Sequence, residues 1–246
     1  MHATTDHQAG AGPLPAAGRY SGWYVILAAV FVTCLITANI IAVKLLALPF
    51  GLAVPAGIVV FPLSYLFGDI LTEVYGYAAA RRVIWLGFAC NLVAVIAIAA
   101  GGALPAAPFW QGQAAYATIL GFTPRLLAAS FCAYLAGEFI NSFVLAKLKI
   151  ATKGRWLWTR TIGSTLVGEG VDTVIFMTLA FTGIVPGSIL FQLILAQWVI
   201  KVLYEVAATP FTYLVVNFLK RREGLDPFDT GTNFSPVVLG RAAVRG

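Results

Sequence analysis

The sequence predicts an all-α membrane protein: a bundle of six transmembrane helices with both termini cytoplasmic. Three observations carry this, namely composition, apolar runs of crossing length, and the placement of basic residues. Hydrophobic residues make up 60% of the 246 and charged residues only 11%, against roughly 45–50% and 25% in soluble domains. Such a chain has too little polar surface to face water on all sides.

A crossing helix needs about 20 mostly apolar residues to span roughly 30 Å of hydrocarbon. Six segments qualify: Trp23–Leu48, Pro55–Tyr75, Val83–Ala103, Pro124–Lys147, Thr161–Thr182 and Ser188–Leu219. The first four are separated by turn-forming or interfacial stretches, of which 105–123, with Pro105, Pro108, Trp110 and Tyr116, reads as a loop with a short helix. Pro55, Pro62 and Pro210 fall in or beside spans, where freed backbone groups must find partners. The last segment is overlong, so it is tilted or bent at Pro210. No period-two alternation supports a β-barrel. Residues 1–22 lack the charged stretch, short apolar run and cleavage site of a secretory signal, and read as a disordered cytoplasmic leader. The membrane domain is predicted over 23–222, with a cytoplasmic tail over 223–246.

Orientation follows from charge. With the N-terminus inside, Arg19, Arg81, Arg82, Lys147, Lys149, Lys153, Arg155, Arg160, Lys220, Arg221, Arg222, Arg241 and Arg245 all fall on the cytoplasmic side, thirteen of the 16 basic residues. The opposite face keeps Arg125 and Lys44. Cytoplasmic loops carry such an excess. The net charge of +6 therefore belongs to short membrane loops, and no nucleic-acid partner is expected. Trp156 and Trp158 fit an interfacial aromatic belt.

Seven ionisable residues fall inside spans: Asp69, Glu73, Glu138, Glu169, Asp172, Lys201 and Glu205. Each costs at least about 2.5–3.5 kcal/mol at mid-membrane. Counted from the flanking Arg81, Lys147, Arg160 and Lys220 at 1.5 Å per residue, Asp69, Glu138, Glu169, Asp172 and Glu205 lie roughly 14–23 Å above the inner surface. They converge on one layer. Six acids against Lys201, with Lys44 near the outer end of the first span, leave a surplus that implies a polar cavity, protonated carboxyls or a ligand supplying donors. Asn39, Asn91, Asn141, Ser164, Thr165 and Gln197 add uncharged groups at similar depth, which serve either a site or interhelical contacts. Gly137-Glu138-Phe139-Ile140-Asn141-Ser142 echoes Gly168-Glu169-Gly170-Val171-Asp172-Thr173, either as a trace of inverted repeats or as chance similarity in a restricted alphabet.

Absences narrow the function. No phosphate loop, H-E-x-x-H or G-x-S-x-G motif is present, and no large soluble domain hosts a cofactor, so neither cofactor nor metal is expected. His2 and His7 both lie in the leader, which excludes histidine catalysis in the membrane part. Cys34, Cys90 and Cys132 are spaced as neither disulfides nor zinc ligands and read as small buried hydrophobes. The remaining classes are a permease, a binding subunit that needs a separate energising module, and an intramembrane enzyme using paired carboxylates.

The run Phe61-Pro62-Leu63-Ser64-Tyr65-Leu66-Phe67-Gly68-Asp69-Ile70-Leu71-Thr72-Glu73-Val74-Tyr75-Gly76, followed by Ala80-Arg81-Arg82, resembles the second-helix motif of the queuosine precursor transporter family, once named for vitamin uptake. Further matches are Ala38-Asn39, Gly137-Glu138-Phe139-Ile140-Asn141 with Lys147, Ser164 to Thr173, and Gln197, Lys201, Pro210 and Asn217. The resemblance implies a bacterial inner-membrane protein, not an enzyme, that takes up 7-cyano- or 7-aminomethyl-7-deazaguanine or queuine for tRNA modification. A guanine-like base presents N1–H and an exocyclic amine side by side, which a carboxylate accepts in two parallel charge-assisted bonds. Lys201, Asn or Gln would donate to the 6-oxo group, and Phe, Tyr or Trp198 would stack on the ring. The expected substrate-binding set is Asp69, Asp172, Glu73, Glu138, Glu169, Asn39, Asn141, Gln197, Lys201 and Glu205. Asp69 and Asp172 are its expected core, Lys201 is expected to pair with Glu205 or Asp172, and Glu138 and Glu169 are the expected proton carriers. The partners are thus a deazapurine, the lipid bilayer and protons.

Overall fold

Ser21 starts the first crossing: its Oγ accepts a hydrogen bond from the Tyr24 N–H (3.1 Å) and caps α1 (Gly22–Ile41). The structure, a computed structural model, describes residues 21–47, 53–121 and 124–237. Helix α1 ends short of the expected Leu48, which lies outside the described residues. Instead Leu45–Ala47 (β1) pairs antiparallel with Ala53–Pro55 (β2), Leu46 facing Val54. A short apolar run fits a buried strand as well as a helix end, which is why hydropathy merged this hairpin arm with the span.

A 3-10 turn, Ala56–Val59, leads into α2 (Phe61–Tyr75), with Pro62 in the first turn, where its missing N–H has no helical partner to lose. The turn packs closely on α1: a Cβ on Gly57 would lie 2.7 Å from the Ala38 carbonyl oxygen and 3.3 Å from Ala42 Cβ. The small pair Ala38 and Ala42 therefore serves packing within the chain. Eleven of the 15 residues of α2 are buried, so it is the central helix and its Asp69, Thr72 and Glu73 face protein. Gly76, at φ +82°, joins α2 to α3 (Tyr77–Ala103) in a single residue, a conformation open to glycine.

The expected interfacial segment contains α4 (Gln113–Leu120), tied back to α3 by Tyr116 O–H donating to the Ile98 carbonyl (2.8 Å). Helices α5 (Pro124–Ala151) and α6 (Leu157–Phe181) form an antiparallel hairpin. The two echoed motifs meet here. A Cβ on Gly168 would lie 2.5 Å from Asn141 Cβ, and one on Gly137 would lie 2.7 Å from Asp172 Cβ. These glycines let the backbones approach, as small residues do between membrane helices. The last helix, α7 (Gly187–Glu223), runs through Pro210 as one element of 37 residues. At 1.5 Å per residue that is about 55 Å, so its length outruns the hydrocarbon and carries Lys220, Arg221 and Arg222 beyond it.

Among the described residues, six helical segments are long and apolar enough to cross a membrane. Phe31, Leu35, Ile70, Leu71, Val74 and Ile84 form the apolar core between α1, α2 and α3. Cys34 and Cys90 are half-buried and Cys132 exposed, a correction to the expected burial. Apolar surroundings in a span are either protein or lipid, and sequence alone does not distinguish them.

Gly224 (φ +64°) ends α7, and the following residues turn back across the bundle end that gathers the basic side chains, here the basic end. Asp229 accepts from the Tyr77 N–H (3.0 Å), Arg81 donates to the carbonyls of Asn233 (2.8 Å) and Ser235 (2.7 Å), and Trp85 donates to that of Pro236 (2.8 Å). Part of the tail is thus docked as a strap over 225–237.

Candidate functional site

Between the hairpin and the bundle centre lies a cavity of about 100 Å³, bounded by α1, the 3-10 turn, α5, α6 and α7. That is below the roughly 300–1,000 Å³ of drug-sized ligand pockets, so only a small molecule would fit. Its polar lining is Asn39, Ser130, Asp172, Gln197 and Lys201, and its aromatic walls are Phe61 and Phe176.

The spacing of Glu169, Asp172 and Thr173 on α6 puts all three within reach of one ammonium from α7. Lys201 Nζ stands 2.6 Å from Asp172 Oδ2, 2.7 Å from Glu169 Oε2 and 3.2 Å from Thr173 Oγ1, with the Phe61 ring centre at 4.7 Å. Of the ammonium's three protons, two are hydrogen-bonded to Asp172 and Thr173, and Glu169 faces the same ammonium as an ion pair. The expected alternative partner of Lys201, Glu205, is not engaged, and Glu205 Oε1 has no hydrogen bond among the described residues. One ammonium against two carboxyl groups leaves a formal negative charge or a bound proton in this layer.

The uncharged groups differ in freedom. Asn39 is held at both ends, donating to Asn91 Oδ1 (3.1 Å) and accepting from Ser130 Oγ (3.3 Å). Among the described residues, Gln197 donates only to the Met177 thioether sulfur (3.2 Å), a weak acceptor. Trp198 donates to the Leu166 carbonyl (3.0 Å) and packs beside Gly170, outside the cavity lining.

Behind the cavity, Asn141 donates to Asp69 Oδ1 (2.6 Å), leaving Asp69 Oδ2 and Asn141 Oδ1 without partners among the described residues. Both oxygens of Glu138 are likewise buried and unbonded there, as is the Tyr65 hydroxyl. Glu138 Oε2 lies 3.0 Å from where a Gly68 Cβ would stand, so a side chain at 68 would press on the carboxyl. Unmet buried acceptors are costly, and a row of them beside a cavity can hold protons.

Of the ten expected binding residues, the structure brings Asn39, Asp172, Gln197 and Lys201 to one cavity. Glu169 joins through Lys201, while Asp69, Glu138, Asn141 and Glu205 are buried outside its lining. Glu73 lies apart from the cavity. Arg160 clamps it with Nε to Oε2 (3.1 Å) and Nη2 to Oε1 (2.9 Å), and Lys220 reaches Oε1 at 2.6 Å. The acids thus have more cations than the in-span count allowed, because long side chains reach inward from the helix ends. Ser130, Phe61 and Phe176 were not singled out from sequence; an isolated Ser or Phe in an apolar run carries no signal of its own.

A six-helix membrane protein with charged groups gathered in a buried layer beside a small cavity has the layout of a small-molecule carrier. Residues 55–215 match the family described as "Putative vitamin uptake transporter". The chain is 31% identical over 189 residues to the "Probable queuosine precursor transporter" of Bacillus subtilis (strain 168), covering 76% of this chain and 82% of that one. It is 33% identical over 121 residues to the "Queuosine precursor transporter" of Escherichia coli (strain K12), covering 49% and 52%. No solved structure matches. The chain belongs to the queuosine precursor transporter family: it is a multi-pass transporter of the bacterial inner membrane and not an enzyme.

Proposed function

We propose that this protein imports a 7-deazaguanine queuosine precursor, the 7-cyano or 7-aminomethyl compound or queuine, and seats it in the cavity beside Asp172. The observation that carries this reading is the cavity wall itself: a carboxylate, an amide held by a weak thioether acceptor and two aromatic side chains around one small cavity. Each carboxylate oxygen has two acceptor sites, so Asp172 can hold Lys201 and still accept N1–H and the exocyclic amine. Gln197 donates to the 6-oxo group, Phe61 and Phe176 flank the ring, and Asn39 fixes the wall. Asp69, Asn141, Glu138, Glu169 and Glu205 form the polar layer behind, with Glu138 and Glu169 carrying protons in the empty carrier.

Transport proceeds by alternating access around the buried site, with the basic end facing the cytoplasm. Support for that orientation is the thirteen basic residues on one side. Uptake of labelled deazaguanines by cells lacking their own synthesis tests the proposal. Cells carrying this gene are expected to accumulate label and restore queuosine in tRNA. Equal label with and without the gene contradicts it.

A further inference from the structure

At the basic end, two layers of contacts close the bundle. The inner one converges on Glu73: Arg160 and Lys220 bind its carboxylate, and Lys149 Nζ lies 3.5 Å from Oε1 while donating to the Glu73 carbonyl (2.7 Å). One side chain thereby ties α2 to α5, α6 and α7. The outer layer is the strap. Its Asp226 Oδ1 lies 2.7 Å from both Lys149 and Lys220, so the two lysines are shared between the layers. Further along, the strap grips α3 through Tyr77, Arg81 and Trp85. It also meets α5 where Lys147 Nζ sits 4.2 Å from the Phe234 ring centre and Phe143 stacks edge-on at 5.2 Å.

The two layers differ in what it takes to open them. Glu73 is fully buried, and parting it from its cations while the strap is down leaves charges stranded in a dry interior. The strap is held by main-chain carbonyls, by Asp229 on the Tyr77 N–H, by the Phe234 ring and by Asp226, whose side chain is 49% exposed. Of these, the Asp226 pairs are open to water and give way first, since solvent-screened ion pairs contribute little. Once the strap lifts, water reaches Lys149 and Lys220, and the inner cluster can part in a wet environment. The order of opening is thus fixed by burial.

Resting on the carrier function proposed above, we infer that residues 226–236 are a latch: the strap must undock from α3 and α5 before the Glu73 cluster separates and cargo leaves at the basic end. Lys149 and Lys220 couple the two events because each touches both Glu73 and Asp226.

The test joins strap to helix. In a background with Cys34, Cys90 and Cys132 changed to Ala, Lys147→Cys and Phe234→Cys are linked by a short, cleavable bifunctional thiol reagent in proteoliposomes. Two quantities are read: uptake of labelled 7-cyano-7-deazaguanine, and, in protein also carrying Ser142→Cys and with that thiol shielded during linking, its labelling by a membrane-impermeant reagent from the basic side. Ser142 is buried just inside the Glu73 layer, bonded to Thr72 at 3.1 Å. Linking is expected to lower both rates at least tenfold, and cleavage of the linker to restore them. Equal labelling of linked and unlinked protein overturns the latch. If linking suppresses labelling but the unlinked protein carries no deazaguanine, the latch stands and the proposed cargo fails. If the doubly substituted protein does not fold, Asp229→Asn, which weakens the cap on Tyr77, replaces it. Several-fold faster labelling of Ser142→Cys is then expected, and an unchanged rate overturns the proposal.

Discussion

Lys201 and Asp172 are joined by a 2.6 Å ion pair in the cavity wall, one side chain from α7 and one from α6. Glu169 is a second ion-pair partner of the same ammonium at 2.7 Å. Removing the ammonium strands two buried carboxyl groups, and deleting one partner of a buried pair costs roughly 3–5 kcal/mol. Lys201→Met is therefore expected to lower folded yield and the melting temperature in detergent. Lys44→Met, at an exposed turn, is expected to leave both unchanged. Equal tolerance of the two changes contradicts the assigned pairing.

Gln197 is the cavity's least committed polar group, with only a thioether as partner among the described residues. If its amide reads the base edge, Gln197→Ala loses about 1–2 kcal/mol of binding, a roughly 5–30-fold rise in the concentration for half-maximal uptake. Gln197→Met fills the same space without the amide and is expected to behave like the alanine variant, with normal folded yield. Wild-type uptake in Gln197→Met shows that the amide only packs.

Acid weakens the strap through Asp226. Partial burial pushes this carboxyl up, but hydrogen bonds from Lys149 and Lys220 outweigh burial and hold it below the usual carboxylate range. A carboxyl whose folded value lies below its unfolded value of about 3.9 contributes docking above that value. The contribution is lost as pH falls through the folded value. Amide exchange over 226–236 is expected to differ between wild type and Asp226→Asn at neutral pH and to converge as pH falls below the usual carboxylate range. A constant difference across that window contradicts the pairing.

Glu138 has two buried oxygens and no hydrogen-bond partner among the described residues. If it carries the proton, as proposed above, it is needed for coupling and not for the cavity wall. In proteoliposomes with an inward pH gradient, wild type is expected to concentrate cargo and Glu138→Gln only to equilibrate it. Accumulation by the variant equal to wild type assigns coupling elsewhere.

Much of this was legible in sequence. Hydropathy located the crossing helices, and depth counting from Arg160 and Lys220 put Glu169, Asp172 and Glu205 in one layer. The cost of a lone ammonium in hydrocarbon pointed Lys201 to Asp172 or Glu205, of which the structure pairs it with Asp172. The hairpin at Leu45–Ala47 was not legible, because three apolar residues fit a strand or a helix end equally well. Nor was the fate of Glu73, since Arg160 and Lys149 sit at helix ends where sequence assigns them to loops, and only their long side chains bring the charge inside. The strap escaped for another reason. Arg81 and Trp85 hold it by main-chain carbonyls, which every sequence supplies.

The central claim is that a 7-deazaguanine is carried in the cavity that Asp172 and Lys201 line. Uptake of labelled 7-cyano- and 7-aminomethyl-7-deazaguanine and queuine into proteoliposomes holding the purified protein alone measures it most directly, with Asp172→Asn alongside. Wild type is expected to transport at least one of the three. The variant is expected to lose roughly 10–100-fold, since a charge-assisted hydrogen bond contributes about 1.5–3 kcal/mol. No transport of any of the three by folded wild-type protein, or transport by folded Asp172→Asn at the wild-type rate, contradicts the account.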